Sequence, residues 1–194
     1  MALVESNMLP LGTIAPDFSL PNVVDNSLGA LSNLKGEKGT LVVFTCNHCP
    51  YVVHLLDAFV ALAKKNKGKG VATIAISSND VENYPADHPD LMRKLAQEKN
   101  FTFPYLYDEA QTVAKAYDAA CTPDFYLLNA QHALIYHGRF DASRPGNDTP
   151  ITGEDLQNAI DAMLKKDPIP ENQYPSMGCN IKWKTGNEPA GFSI

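Results

Sequence analysis

Two hydrophobic rhythms meet in the first third of the chain. Residues 41–44, LVVF, form a short continuous apolar run flanked by Gly39 and a turn-like Thr-Cys-Asn-His-Cys stretch, which predicts a buried strand. From Pro50 the period changes. Val52, Leu55, Leu56, Phe59, Leu62 and Ala63 recur at helical spacing, and Lys64, Lys65 and Lys67 close the run where cations suit the helix dipole. Pro50 falls in the first turn, where its missing N–H costs nothing. Residues 71–77, VATIAIS, read as a second buried strand. Strand, helix and strand in this order predict a right-handed crossover and a parallel pair.

The flanks are less regular. Before residue 40 short apolar pieces (18–20, 23–24 and 31–34) alternate with Pro, Gly, Asn and Ser, which predicts a hairpin-like lead-in rather than a helix. Beyond a loop at 77–90 the pattern predicts a helix near 91–99, a strand at 105–107 and a helix near 111–117. Strands at 126–128 and 133–137 follow, joined by the turn NAQH. Residues 152–166 carry a well-signed helix, with Thr152 and Asp155 spaced as a capping box and Leu156, Ile160, Met163 and Leu164 on one face. After Asp167 Pro, Asn and Gly dominate. The organisation expected is one α/β domain over residues 1–167, with helices on both faces of a sheet, and an irregular arm over 168–194 packed on the same domain.

Composition narrows the function classes. A formal net charge of −6 without a basic block argues against nucleic acid and anionic membrane as partners. No apolar stretch approaches the ~20 residues that span a bilayer. The start MALVESNMLPLG lacks the basic and apolar regions of a secretory signal, so a cytoplasmic location is expected. In a reducing compartment the four cysteines point to catalysis or metal binding rather than structural bridges.

Cys46 and Cys49 stand two residues apart at the junction of a strand and a helix, the placement of a redox dithiol. Two sulfurs so spaced can close a disulfide with little backbone movement. The reading assigns Cys46 as the attacking thiolate, favoured by the helix N-terminus, and Cys49 as the resolving thiol. Lowering a thiol from about 8.5 to about 7 takes ~2 kcal/mol, whereas the dipole supplies ~0.3–1 kcal/mol, so hydrogen bonds from Asn47, His48 or the Cys49 backbone are required too. His48, when protonated, favours the Cys46 thiolate; its alternative is a solvent-facing histidine in a polar slot. His54, His88, His132 and His137 lie on loops, strand ends or a helix face and are read as structural or exposed.

These residues resemble those that thioredoxin-fold proteins carry. APDFSLPN with LSNLKGEKGTLVVF resembles the opening of the alkyl hydroperoxide reductase/thiol-specific antioxidant (AhpC/TSA, redoxin) family. LYDEAQTVAKAYDAACTPDFYLLN is similar to that family's helix leading into a Thr-Pro turn. TCNHCPYV, GRFDASRPGND and PSMGCNIKWK resemble a bacterial C-x-x-C subgroup. The resemblance implies a thioredoxin-like fold: a central mixed β-sheet flanked by helices, with an N-terminal hairpin extension and a C-terminal arm. It also implies a cis Pro123 facing the cysteines, with the Thr122 backbone free to pair with an extended substrate. Cys121, two residues before that proline, is expected near the pair and is open to three readings: a third redox thiol, a metal ligand, or a buried small residue. Cys179 would resolve a disulfide if the arm folds back.

The pattern P-x-x-x-T-x-x-C of peroxiredoxins fits neither cysteine, and LVVF lacks the buried acid that thioredoxins carry in that strand. Arg139 and Arg144 are read as steering an acidic substrate or holding their loop through Asp141. The function expected is a thiol-disulfide oxidoreductase acting on protein or small-molecule disulfides, recycled by a thioredoxin or glutathione system and needing no cofactor. An atypical thiol peroxidase acting on peroxides is the first alternative. A copper- or zinc-binding module using Cys46, Cys49 and Cys121 is the second.

Overall fold

The computed structural model describes residues 3–190. In chain order the strands are β1 (Leu3–Glu5), β2 (Ser19–Pro21), β3 (Leu28–Ala30), β4 (Gly39–Phe44), β5 (Val71–Ser77), β6 (Tyr105–Tyr107), β7 (Cys121–Thr122), β8 (Asp124–Asn129), β9 (Leu134–Gly138) and β10 (Met177–Asn180). The α-helices are α1 (Leu31–Leu34), α2 (Pro50–Lys67), α3 (Pro89–Glu98), α4 (Thr112–Ala116) and α5 (Glu154–Lys165). A 3₁₀ turn covers Pro85–Asp87. Among the described residues no helix is long and apolar enough to cross a membrane.

The central sheet runs β6-β5-β4-β8-β9. β4 pairs in parallel with β5, and β5 with β6; β8 is antiparallel to both β4 and β9. The sheet is therefore mixed. The apolar run of β4 has no polar alternation because both faces are covered. Leu41 and Val43 enter one core with Leu55, Phe59 and Leu62 of α2, Met92 of α3 and Ile160 of α5. Val42 and Phe44 enter the other with Val113 and Ala114 of α4 and with Phe18, Leu20 and Leu31 of the lead-in.

β2 and β3 form the antiparallel hairpin that the lead-in predicted, but residues 31–34, read as part of it, wind into the single turn α1. α2 starts at Pro50 and ends before Gly68, with lysines in its last turn, as its pattern required. α5 departs from its expected cap. Gly153, at φ 67°, is the N-cap residue and no side chain caps it. Asp155 is turned away to Arg139, 2.6 Å from its Nε, so the capping box does not form. Asp141 accepts the N–H groups of Thr152 (2.7 Å) and Gly153 (2.6 Å) instead, which leaves Arg139 without the Asp141 partner expected for it.

The arm is more ordered than its composition suggests. Gln173 accepts from His137 N (2.7 Å), Ser176 donates to Gly138 O (3.0 Å), and Asn79 accepts from Lys182 N (2.8 Å). Between these anchors β10 lies antiparallel to β7 on one side and β1 on the other, forming a second sheet, β1-β10-β7.

Candidate active site

Three segments converge where β4 ends. Thr45 to Cys49 turns out of the sheet, β7 brings Thr122, and β10 brings Cys179. Cys46, Cys49 and Cys179 pack in one small cluster with Val52 and the half-buried Tyr51. Both sulfurs of the C-x-x-C stretch are buried, Cys46 at 1 % exposure and Cys49 at 0 %. The Thr122–Pro123 peptide bond is cis. Thr122 faces the pair with two groups: its hydroxyl lies 3.5 Å from Cys46 Sγ, and its carbonyl oxygen 3.1 Å from Cys49 Sγ.

The expected acidity is reversed within the pair. Because Pro50 is the first helical residue, Cys49 is the N-cap and Cys46 lies three positions before it. Cys49 is drawn down to about 5, first by the Cys46 thiol and then, against the cost of burial, by the Cys179 thiol and N–H and by the Val52 N–H. Cys46 is held well above the ordinary thiol range, first because its proton is shared with Cys49, then by burial and by the charge of Asp87, with the Thr122 hydroxyl opposing. One contact runs the other way, since a carbonyl oxygen beside Cys49 favours a protonated thiol there. The donors outnumber it, and they favour the thiolate on Cys49 over Cys46.

Asp87 is the buried acid that β4 lacks. It is 0 % exposed and comes from the 3₁₀ turn. Its Oδ1 accepts the Asn47 N–H (2.7 Å) and its Oδ2 accepts from Asn79 Nδ2 (2.7 Å). His48 Nδ1 lies 2.7 Å from Oδ2, an ion-pair contact whose angle falls short of a hydrogen bond. This contact raises the His48 pKa against the opposing effect of burial. Tyr84 stacks on the imidazole, with centroids 5.8 Å apart and planes at 8°. His48 is thus placed beside Cys46, but its charge is matched to Asp87. Nothing in the sequence marked Asp87 as special; its only signal is a lone acid in a turn fixed by Pro85 and Pro89.

Cys121 does not join the cluster. Adjacent residues of a strand point to opposite faces, so with Thr122 on the sulfurs Cys121 faces away. It lies 3.9 Å from Ser6 Oγ, beside the buried Asp124, and burial pushes its thiol well up. The metal set Cys46, Cys49 and Cys121 is therefore not assembled. Among the described residues the donors grouped closely enough to hold an ion are Cys46, His48 and Asp87, whose ligand atoms lie within 4.8 Å of one another. His54 bonds Ser143 Oγ (2.7 Å), and His137 bonds Asp124 (3.0 Å), both far in role from the sulfurs. A cleft of about 190 Å³ opens beside Pro123, lined by Tyr51, Met177, Arg139 and Arg144 among others. Arg139 is held by Asp155 and lies over the Tyr174 ring at 4.4 Å, whereas Arg144 is exposed.

A mixed sheet flanked by helices, with a dithiol at the start of a helix and a facing cis-proline, defines a thioredoxin-like protein. Residues 11–137 match the AhpC/TSA family, and the chain belongs to it. Among solved structures, an uncharacterized conserved protein from Geobacillus kaustophilus is 52% identical, with a TM-score of 0.93 over 95% of this chain and 97% of that one. A hypothetical protein from Sinorhizobium meliloti 1021 is 44% identical, with a TM-score of 0.91 over 94% of this chain and 99% of that one. The peroxidoxin BcpB from Mycobacterium tuberculosis shares the fold at 17% identity, with a TM-score of 0.61 over 82% of this chain and 98% of that one. No curated protein matches the sequence.

Proposed function

We propose that this protein is a thiol-disulfide oxidoreductase working through Cys46 and Cys49. The observation that carries the reading is the buried pair itself: two sulfurs in one cluster, both facing Thr122. Cys46 is the sulfur that attacks, because its Sγ faces the Thr122 hydroxyl, a donor for developing charge, whereas Cys49 Sγ faces the Thr122 carbonyl oxygen. As Cys46 attacks a substrate disulfide, its proton passes to Cys49 and then to the departing thiolate. The products are a Cys46 mixed disulfide, one free thiol and the Cys49 thiolate. Cys49 then attacks Cys46 Sγ, closing the Cys46–Cys49 disulfide and releasing the second thiolate. His48 and Asp87 fix the loop between the two sulfurs. A thioredoxin or glutathione system returns the pair to the dithiol.

The test is release of free thiol from a small disulfide by stoichiometric reduced protein. Cys46→Ser slows thiol release by about 100-fold or more, leaving only the slow route through Cys49 and Cys179, and Cys49→Ser stops at a mixed disulfide on Cys46. Thiol release unaffected by Cys46→Ser refutes the assignment. One observation favours a second reading. Sulfurs enclosed this fully admit a peroxide more readily than a protein disulfide. In that reaction the thiolate displaces alcohol or water from the peroxide to give a sulfenic acid, and the neighbouring thiol condenses with it, releasing water. Fast peroxide consumption with a trappable sulfenic acid separates the two.

A further inference from the structure

We propose that Cys179 is a third redox thiol, and that β10 holds it against Cys49 along the backbone edge at which an extended substrate was expected to bind. The proposal rests on the reading that Cys46 and Cys49 exchange disulfides. The backbone of Thr122 is not free. Cys179 stands opposite Thr122 in the β10–β7 ladder, and Asn180 opposite Cys121. Residues opposite each other in an antiparallel pair share a face, so Cys179 points to the sulfurs as Thr122 does, and Asn180 points away with Cys121.

The seat is built to this fit. A Cβ on Gly178 would lie 2.0 Å from the Thr122 carbonyl oxygen, so only glycine lets the strand approach so closely. β10 is held on its other edge by β1, with Leu3 opposite Cys179, and the arm is anchored on either side of it by Ser176 and Lys182. Cys179 is 6 % exposed and shares one packed cluster with Cys46 and Cys49. A strand kept only to cover the edge has no need of a thiol at a position packed against Cys49.

The chemistry needs no further oxidant than the substrate disulfide. In the oxidised protein the Cys179 sulfur attacks Cys49 Sγ. The bond Cys179–Cys49 forms, the bond Cys49–Cys46 breaks, and the electron pair leaves on Cys46 Sγ, which receives the Cys179 proton. The sum is a disulfide isomerisation, with no net change of oxidation state. Its consequence is that Cys46 is a free thiol again while the oxidising equivalent is stored beneath the arm. Cys49 is thereby the hub, able to pair with either neighbour.

The experiment treats full-length reduced protein with one equivalent of hydroxyethyl disulfide, quenches with acid, alkylates free thiols and maps disulfides by mass spectrometry without reduction. The wild type is expected to yield Cys49–Cys179 peptides beside Cys46–Cys49 peptides. Cys46→Ser should yield Cys49–Cys179 as its intrachain disulfide, and Cys179→Ser should lose that species altogether while keeping Cys46–Cys49. If Cys46–Cys49 forms but Cys49–Cys179 is absent from both the wild type and Cys46→Ser, the relay is overturned and the exchange reading stands. If neither Cys46–Cys49 nor a mixed disulfide forms, the exchange reading fails and the relay with it.

Discussion

Cys49 and Cys121 are both 0 % exposed; Cys121 is one residue of the two-residue strand β7, and Cys49 packs against the other, Thr122. Burial pushes both thiols up, yet Cys49 comes down to about 5 while Cys121 stays well above the ordinary value. The difference lies in what each faces. Cys49 meets polarised hydrogens from Cys46, Cys179 and Val52. Cys121 meets one donor, the Ser6 hydroxyl, against the charge of Asp124, the weaker charges of Cys49 and Cys179, and the Pro123 carbonyl oxygen to which its thiol donates. One step of strand alternation, from Thr122 to Cys121, separates a reactive face from an inert one. Depth does not decide a cysteine's chemistry in this fold; the side of the strand does.

The largest effect expected from this contrast is in the exchange reaction. Cys49→Ser should lower exchange by about 1000-fold or more, whereas Cys121→Ser should leave it within about twofold. The same pair of variants tests the charge. Thiolate absorbance of the reduced protein should rise through a step near pH 5, lost in Cys49→Ser and kept in Cys121→Ser. The stability linkage has a definite sign. The folded value lies below the ordinary 9.0, so the contribution is fully present above pH 9 and is lost as pH falls toward 5. Reduced protein should therefore lose stability across that window by up to about 1.4 kcal/mol per pH unit relative to Cys49→Ser, measured by chemical denaturation. A flat difference between the two proteins from pH 5 to 9 would place the charge elsewhere.

The inert face sharpens the comparison from the other direction. Asp124 Oδ1 accepts from Ser6 Oγ (2.8 Å) and His137 Nε2 (3.0 Å), and its Oδ2 from Tyr126 OH (3.0 Å). His137 Nδ1 in turn accepts the Leu9 N–H (3.2 Å), so Nε2 carries the proton. Asp124→Ala strands two buried polar groups, His137 Nε2 and Tyr126 OH, while Ser6 Oγ keeps Ser176, and should cost about 3 kcal/mol of folding stability, read from the denaturant midpoint. Exchange by the fraction that remains folded should be unchanged. A variant of normal stability with slowed exchange would mean that the two faces are coupled.

The same division marks what could be read from sequence. Where one periodicity ruled, the elements were legible: β5, β6 and α2 have the bounds their apolar positions required, because each face is set by burial alone. The pair Cys46 and Cys49 was legible from spacing and from the change of period at Pro50. What escaped depends on partners distant along the chain. β10, MGCN, has too few residues and too much glycine to show a strand rhythm, and it exists because Thr122 and Leu3 supply the other halves of its ladders. Asp87 sits in an irregular turn, and its role arises only when Asn47, Asn79 and His48 close around it. Cys121 lies near enough to the pair for the charges of Cys49 and Cys179 to act on it, but strand alternation, which nearness along the chain does not show, turns its sulfur toward Ser6. The acidity assigned to Cys46 assumed a helix reaching back to it, but Pro50 begins the helix and gives the N-cap to Cys49.

The smallest effect is expected at Thr122, the residue that divides the two faces, and it decides which sulfur attacks. Thr122→Val keeps the side-chain shape, the carbonyl beside Cys49 and the pairing with Cys179, and removes only the hydroxyl 3.5 Å from Cys46 Sγ. Loss of one such contact should cost about 1 kcal/mol or less in stability. If the negative charge moves to Cys46 during attack, that hydroxyl stabilises it there, and exchange should slow by about fivefold, near 1 kcal/mol. The absorbance step near pH 5 should persist, because the donors to Cys49 are untouched. An unchanged rate with an unchanged step would mean that Cys46 never carries the charge. Cys49 would then be both the resting thiolate and the nucleophile, with Cys46 and Cys179 as its two resolving partners.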